Sequence, residues 1–446
     1  MSLVTTLTAR ARWIGSARTP ASSVAYSLLS RLSILVVNVA TGIIVARTLG
    51  PAGRGAAAAM TLWPLVIPAL LTLGVPTALR YKIRRQPDAA AEFFAAAIAV
   101  GGVLGAVAAV TGYAIVPHVL AHYPPTVVGF AQWMMLFAPL MLFNATLQAF
   151  YESQGDFRRS NAMIYIPPIL TLVGLAGLYL FHRLSPYAVA LVYEVPFALM
   201  TIATLVSLRR YLRTPKRVID RIGSLLHYGF RAYGIDILNT LATQIDQAMV
   251  VGLLSVSNFG LYAVAVNGSR VLTVLASSFN SVLFPRASGL EASDAVLLVT
   301  RSARIVFAST SLAALAFVLA LPVLISLAYG KEYAAVVGVT RWLTIAALFA
   351  ATTATLSQAF MATGRPGVVT LLQSAGICAT VPLMLLLIPK HGLVGAAYAV
   401  DISNGVRLAL VILAYPICLH QPVPSLLPTR RDVRDAIASL RRVPAA

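Results

Sequence analysis

The sequence predicts an all-α polytopic membrane protein whose twelve transmembrane helices divide six and six. Three observations carry that prediction. The 446 residues are 59% hydrophobic and only 11% charged, with a mean hydropathy of +0.83. That is more apolar surface than a soluble core uses, and the weak alternation of a membrane barrel is absent. Second, the apolar residues fall into runs long enough to cross a bilayer, which needs about 20 helical residues at ~1.5 Å each. Third, the net charge of +20 is distributed by position. Roughly five times as many lysines and arginines fall between the runs on one side as on the other, the bias expected of cytoplasmic loops.

Taken in order, the expected spans are 21–46, 55–79, 90–115, 128–150, 161–181, 186–208, 226–254, 260–284, 304–328, 336–361, 366–388 and 393–418. The first follows Arg10, Arg12 and Arg18, exceeds the length of a signal-peptide core and lacks a small-residue cleavage site, so it reads as an uncleaved span. The second contains Pro64, Pro68 and Pro76, which remove backbone hydrogen bonds and bend a helix. The longest basic connection, RRYLRTPKRVIDRIGS at 209–224, separates the first six spans from the last six. This gives an N-terminal lobe over 1–208, a cytoplasmic linker over 209–225, a C-terminal lobe over 226–418 and a basic cytoplasmic tail over 419–446. An offset of 205 residues aligns Leu49 with Leu254, Gly55 with Gly260 and Ala58 with Ala263, a weak parallel repeat. Residues 285–304 are expected to form a short amphipathic surface helix. The tail is expected to lie on the anionic inner leaflet. With only Arg47, Arg54, Arg183, Lys331 and Lys390 on the opposite side, both termini are placed in the cytoplasm.

The seventh and eighth spans are the most polar. Asp236, Thr240, Thr243 and Gln247 recur along one, and Asn267, Arg270, Ser277 and Ser281 along the other. Polar stripes of this kind are costly against lipid and belong in a bundle interior or a wet cavity. Arg31, Arg270 and Arg407 sit within about 5 Å of their span midpoints, too deep to reach water by extending along the helix. A guanidinium there points to an anionic head group, above all a phosphate or diphosphate. The bland alternatives are an Arg31–Asp236 ion pair, since the same offset sets those two at equal depth, and for Arg407 the neighbouring Asp401 and Asn404. Arg270 has no acid in its own span. Asn38 and Asn267 are placed with the three arginines as substrate-binding residues. Asp246 and Asp236 are the candidates for binding a coupling ion, with Glu194 as a further intramembrane acid, and each has a structural reading as a partner in a polar network.

Other signals are weaker. Cys378 and Cys418 lie in or beside apolar runs and read as packing residues rather than a disulfide. His118 and His122 have the spacing of a metal pair, but Pro117, Pro124 and Pro125 argue for a loop, and no metal or cofactor is expected. No phosphate-binding loop for nucleotide hydrolysis and no nucleophile triad can be assembled, so an enzyme is not expected.

Several segments resemble the Wzx-type polysaccharide/O-antigen flippases of the MATE-like multidrug/oligosaccharidyl-lipid/polysaccharide (MOP) exporter superfamily. They are ARTLGPAGRG at 46–55, YESQGDFRRSN at 151–161, SVSNFGLYAVA at 255–265 after the Asp246 helix, LFPRAS at 283–288, YGKEY at 329–333, MATGRPG at 361–367 and IPKHGLVGAAYA at 388–399. The resemblance implies two six-helix lobes around a central cavity, alternating access, and movement of undecaprenyl-diphosphate-linked oligosaccharide across a bacterial inner membrane. It also implies contact with membrane lipids and with polysaccharide polymerase machinery, a monomer, and no role for nucleic acid. Cationic cavity residues are typical of such proteins, a role carried here to Arg31 and Arg270. The chain lacks the two extra helices common in the lipid II branch. Rival readings are a drug or metabolite exporter of the same fold, for which acidic cavity residues are expected, and a membrane polymerase or glycosyltransferase, which needs a longer surface loop. A non-transporting scaffold is disfavoured by the polar stripes.

Overall fold

The computed structural model describes residues 20–212 and 217–429, with side chains described from Ser33 onward except those of Ile235 and Leu275. The described residues fold into helices α1 (Pro20–Leu70), α2 (Val75–Arg85), α3 (Ala90–Val119), α4 (Pro125–Met134), α5 (Ala138–Ser153), α6 (Phe157–Leu180), α7 (Pro186–Ser207), α8 (Val218–Leu253), α9 (Val256–Ala287), α10 (Ala292–Tyr329), α11 (Val336–Ala362) and α12 (Pro366–Ala414). Neither α1 nor α12 is one straight rod. A helix of 51 residues would be roughly 76 Å long, more than twice the hydrocarbon thickness. Each turns back at a glycine: Gly50 in α1 (φ 64°) and Gly392 in α12 (φ 57°), a left-handed backbone that costs glycine least. The return is visible in contacts impossible along a straight helix. Arg54 Nη1 donates to the carbonyl of Gly42 at 2.6 Å, and the Arg407 side chain lies against Gly376.

With α1 and α12 counted as two passes each, α4 and α5 as one, and the 11-residue α2 as too short to cross, the described residues make twelve passes. Nine of the helices among the described residues are long and apolar enough to cross a membrane. The helix α8 is not one of the nine, because Asp236, Asn239, Gln244, Asp246 and Gln247 interrupt its apolar run. The lipid-facing side is plain on α10, where Leu312, Leu315, Leu319, Val323 and Leu327 are exposed at helical spacing. The chain is a multi-pass membrane protein.

Three local expectations need correction. The second pass ends at Leu70 rather than continuing to 79: Pro68 starts a turn, Leu73 (φ 45°) and Gly74 (φ 68°) take left-handed backbone, and α2 begins as a separate amphipathic helix. The latter part of the 209–225 linker is helical from Val218 and is the start of α8. Residues 285–304 form no independent surface helix, because α10 begins at Ala292 and runs unbroken to Tyr329. Residues 430–446 of the predicted tail, and Arg10, Arg12 and Arg18, lie outside the described residues.

The two ends of the bundle differ. At the end carrying Gly55, one core contains Met60, Tyr123 and Met135 from the first half together with Val250, Phe259, Tyr262, Tyr333 and Met384 from the second. At the end carrying Glu152, the cores are separate. One is built from α2, α3, α5 and the start of α8 around Phe94 and Phe150, the other from α9 to α12 around Phe360 and Tyr415. The halves therefore share a core at the Gly55 end and are parted at the other except where the start of α8 packs into the first half.

Candidate functional site

Motif residues assemble the joined end. Tyr333, fully buried, donates its hydroxyl to the carbonyl of Ala46, and Arg47 donates to the carbonyls of Leu327 and Ala328 at the C-terminus of α10. Ser255 caps α9 by accepting from the backbone amide of Asn258. The segments 46–55, 255–265 and 329–333 thus meet in one seal.

Beneath the seal a cavity of about 840 Å³ lies between α1, α8, α9, α11 and α12. Its wall on α8 runs from Asn239 to Asp246 and on α9 from Val266 to Asn280. The α9 stretch covers roughly 21 Å along the helix axis. The α11 wall is small and apolar, with Ala346, Ala347, Ala350, Ala351 and Ala354, which leaves room for a ligand. Amides supply most of the neutral polar surface: Asn38, Asn239, Gln244, Asn280, Gln373 and Asn404. Gln373 donates to Asn239 at 3.0 Å, tying α12 to α8. The Oδ1 of Asn280 is buried without a hydrogen-bond partner.

Arg270 and Arg407 both line this cavity. No ion pair among the described residues involves either, and the buried Nε of Arg407 has no hydrogen-bond partner. Asp401 does not neutralise Arg407: its own Oδ1 is unpartnered, and the amide of Asn404 donates instead to the carbonyl of Val400. Leaving a guanidinium unpaired at membrane depth costs several kcal/mol, so the arrangement is poised for an anion. The carboxylate of Asp246 also lines the cavity and accepts from the buried Tyr262 hydroxyl at 2.9 Å.

The remaining sequence-predicted residues are divided. Asn38 lines the cavity. Asn267 is half-buried on α9 outside the cavity wall, nearly one turn closer to the seal than Arg270. Asp236 lies outside it too and accepts from Thr77 Oγ1 at 3.1 Å across the α2–α8 contact. The side chain of Arg31 lies outside the described residues, and with it the Arg31–Asp236 pairing. Glu194 is buried on α7, away from the cavity, with Oε2 unpartnered. Both cysteines are free thiols. Sequence reasoning missed Gln244, Asn280 and Gln373. Gln244 and Asn280 each sit three residues from a member of the predicted stripes, and that spacing was the available signal.

A twelve-pass bundle joined at one end and enclosing a polar cavity has the fold of the MOP-superfamily transporters. The structure of the lipid II flippase MurJ in an inward closed conformation matches with a TM-score of 0.74 at 13% identity, over 93% of this chain and 91% of that one. An inward-facing multidrug resistance MATE family transporter of the MOP superfamily matches at 0.67 and 15%, over 94% and 100%. A MOP superfamily transporter from Pyrococcus furiosus, described as having a binding pocket of reverse polarity, matches at 0.62 and 15%, over 90% and 96%. The chain belongs to the polysaccharide biosynthesis protein family, whose sequence profile matches residues 44–338. No curated protein matches the sequence.

Proposed function

We propose that this protein is a flippase that carries undecaprenyl-diphosphate-linked oligosaccharide from the inner to the outer leaflet of a bacterial inner membrane, for surface polysaccharide such as O-antigen, capsule or exopolysaccharide. The observation that carries the reading is the pair of guanidiniums, Arg270 and Arg407, facing one cavity whose wall holds a single acid, Asp246, with neither arginine in an ion pair among the described residues. A diphosphate matches two forked cations, and the amides of Asn38, Asn239 and Gln373 suit sugar hydroxyls. Arg31 is assigned to the same anion and Asn267 to the approach beside it. The lipid tail stays in the bilayer.

The bias of basic residues supports a cytoplasmic Glu152 end and cytoplasmic termini, so the separate cores would face the side where cargo is made. Transport then requires the Gly55 end to part and the Glu152 end to close. Asp246, held by Tyr262 beside the cationic cavity, is assigned to the coupling ion, and Asp236 to the same role more distantly. Cells lacking the protein are expected to accumulate the lipid-linked oligosaccharide in the inner leaflet. Restoration of its export by wild type and equally by an Arg270→Ala, Arg407→Ala double variant would end the reading.

A further inference from the structure

A second cavity, of about 500 Å³, is formed by Leu73 at the α1–α2 turn and by Leu226, His227, Phe230 and Arg231 on α8. Counted from Leu253, ~30 Å of hydrocarbon ends about 20 residues along α8, near Tyr233. The cavity therefore sits at headgroup depth on the parted side of the bundle. His227, Phe230 and Arg231 are all exposed, Phe230 at 71%. Arg231 has neither an ion pair nor a hydrogen bond among the described residues. The facing acids are accounted for. Asp236 is held by Thr77, and Asp220 lies about 16 Å nearer the solution than Arg231 along α8.

An arginine at this depth is often only an anchor in the headgroups. Two features argue for more. The site has walls, with an apolar floor from Leu73 and Leu226 and an aromatic side from Phe230. It also lies on the helix that walls the large cavity, whose first α8 residue, Asn239, is about 12 Å further along than Arg231. Between the two cavities His227, Arg231 and Gly234 are exposed, as are Asn239 and Thr243 on the wall of the large one. At Gly234 an added Cβ would meet nothing within 4 Å, so the helix is uncovered there.

We propose that His227, Phe230 and Arg231 form a docking site for the diphosphate and first isoprene units of a lipid-linked cargo before it moves along α8 to Arg270. The proposal rests on the flippase reading and adds a second, separate site to it. The cation takes the phosphate charge, and the apolar floor takes the start of the chain.

The test uses the full chain in nanodiscs, undecaprenyl diphosphate as probe, and Phe230 replaced by photoreactive p-benzoylphenylalanine. Light is expected to give a lipid adduct that falls about tenfold with Arg231→Ala and returns with Arg231→Lys. An adduct indifferent to Arg231→Ala, or formed equally by phosphatidylglycerol, overturns the site and leaves a headgroup anchor. Displacement by an equal concentration of inorganic pyrophosphate also overturns it, assigning the pocket to a soluble anion. The same photoreactive residue at Ala350 in the large cavity separates the two readings. Labelling at Ala350 but not Phe230 removes only the docking site, labelling at neither removes both, and labelling at Phe230 alone keeps the docking site and counts against the cavity.

Discussion

Gly55 and Gly260 meet backbone to backbone at the joined end of the bundle, and their contact is reciprocal. A Cβ on Gly55 would lie 1.9 Å from the carbonyl oxygen of Val256 and 2.9 Å from the amide of Gly260. A Cβ on Gly260 would lie 1.9 Å from the carbonyl oxygen of Pro51 and 2.9 Å from the amide of Gly55. The pairs 51/256 and 55/260 share the 205-residue offset read from the sequence. Equivalent residues of the two halves thus face each other about a local two-fold, as expected of parallel repeats.

Because neither backbone can accept a side chain there, Gly55→Val is expected to push the seal apart. Overpacking of this sort costs about 1 to 3 kcal/mol, enough to shift a two-state balance by roughly 5- to 150-fold. The measurement is labelling of a Thr243→Cys reporter, in a background without Cys378 and Cys418, by a membrane-impermeant thiol reagent. Without Gly55→Val the reporter should react from the cytoplasmic side; with it, reaction from the outside should rise.

Arg407 and Arg270 should trade stability against transport. Arg407→Met replaces an unneutralised guanidinium with an apolar chain of similar length, so thermal stability in detergent is expected to rise, on the order of 1 kcal/mol or more. Export should fall by at least tenfold, the loss of one charge-assisted contact. Arg270→Lys should keep part of the activity and Arg270→Ala almost none. A destabilised but fully active Arg407→Met protein contradicts the assignment.

Asp246→Asn keeps the shape around Tyr262 and removes the charge. Export by this variant should lose its dependence on a proton or sodium gradient, measured in vesicles with imposed gradients. Tyr262→Phe, which removes the donor, should alter the gradient dependence while leaving the protein folded. Unchanged dependence in Asp246→Asn would discard that residue.

Thr77→Val deletes the hydrogen bond to Asp236 between the two halves. A loss of about 1 kcal/mol in stability is expected. If Asp236 couples ion movement, Asp236→Asn will also flatten the gradient response; if it only fastens α8 to α2, the response will be unchanged while stability falls.

Much of this was legible in the amino-acid order because lipid makes a simple demand: runs of apolar residues at least a bilayer long. The passes in α1, α3, α6 and α10 follow from that alone. The polar stripe of α8 was readable for the same reason, since Asp246 or Thr243 facing lipid is expensive. What escaped was anything set by packing between distant segments. The bond between Gln373 and Asn239 joins residues 134 apart, and no periodicity marks it. Asn267 belongs to the same polar stripe as Arg270 yet lies outside the cavity wall, while its neighbour Val266 is on it. The end of the second pass at Leu70 depended on left-handed backbone at Leu73, which apolar composition conceals.

The helix α8 is fastened at both ends to different partners. Near its start Tyr228 stacks on Tyr81 at 4.2 Å, Arg221 pairs with Glu92 at 2.7 Å and Tyr233 donates to the carbonyl of Leu70, all in the first half. From Asn239 onward it is bound to α12 and α9 in the second half. Two rigid shells rocking past each other would tear one set of these bonds, so each stroke must be absorbed within the rod itself. The rod changes partners between Asp236, held by Thr77, and Asn239, held by Gln373, and stiffening that short stretch is expected to stall the cycle without touching the cargo.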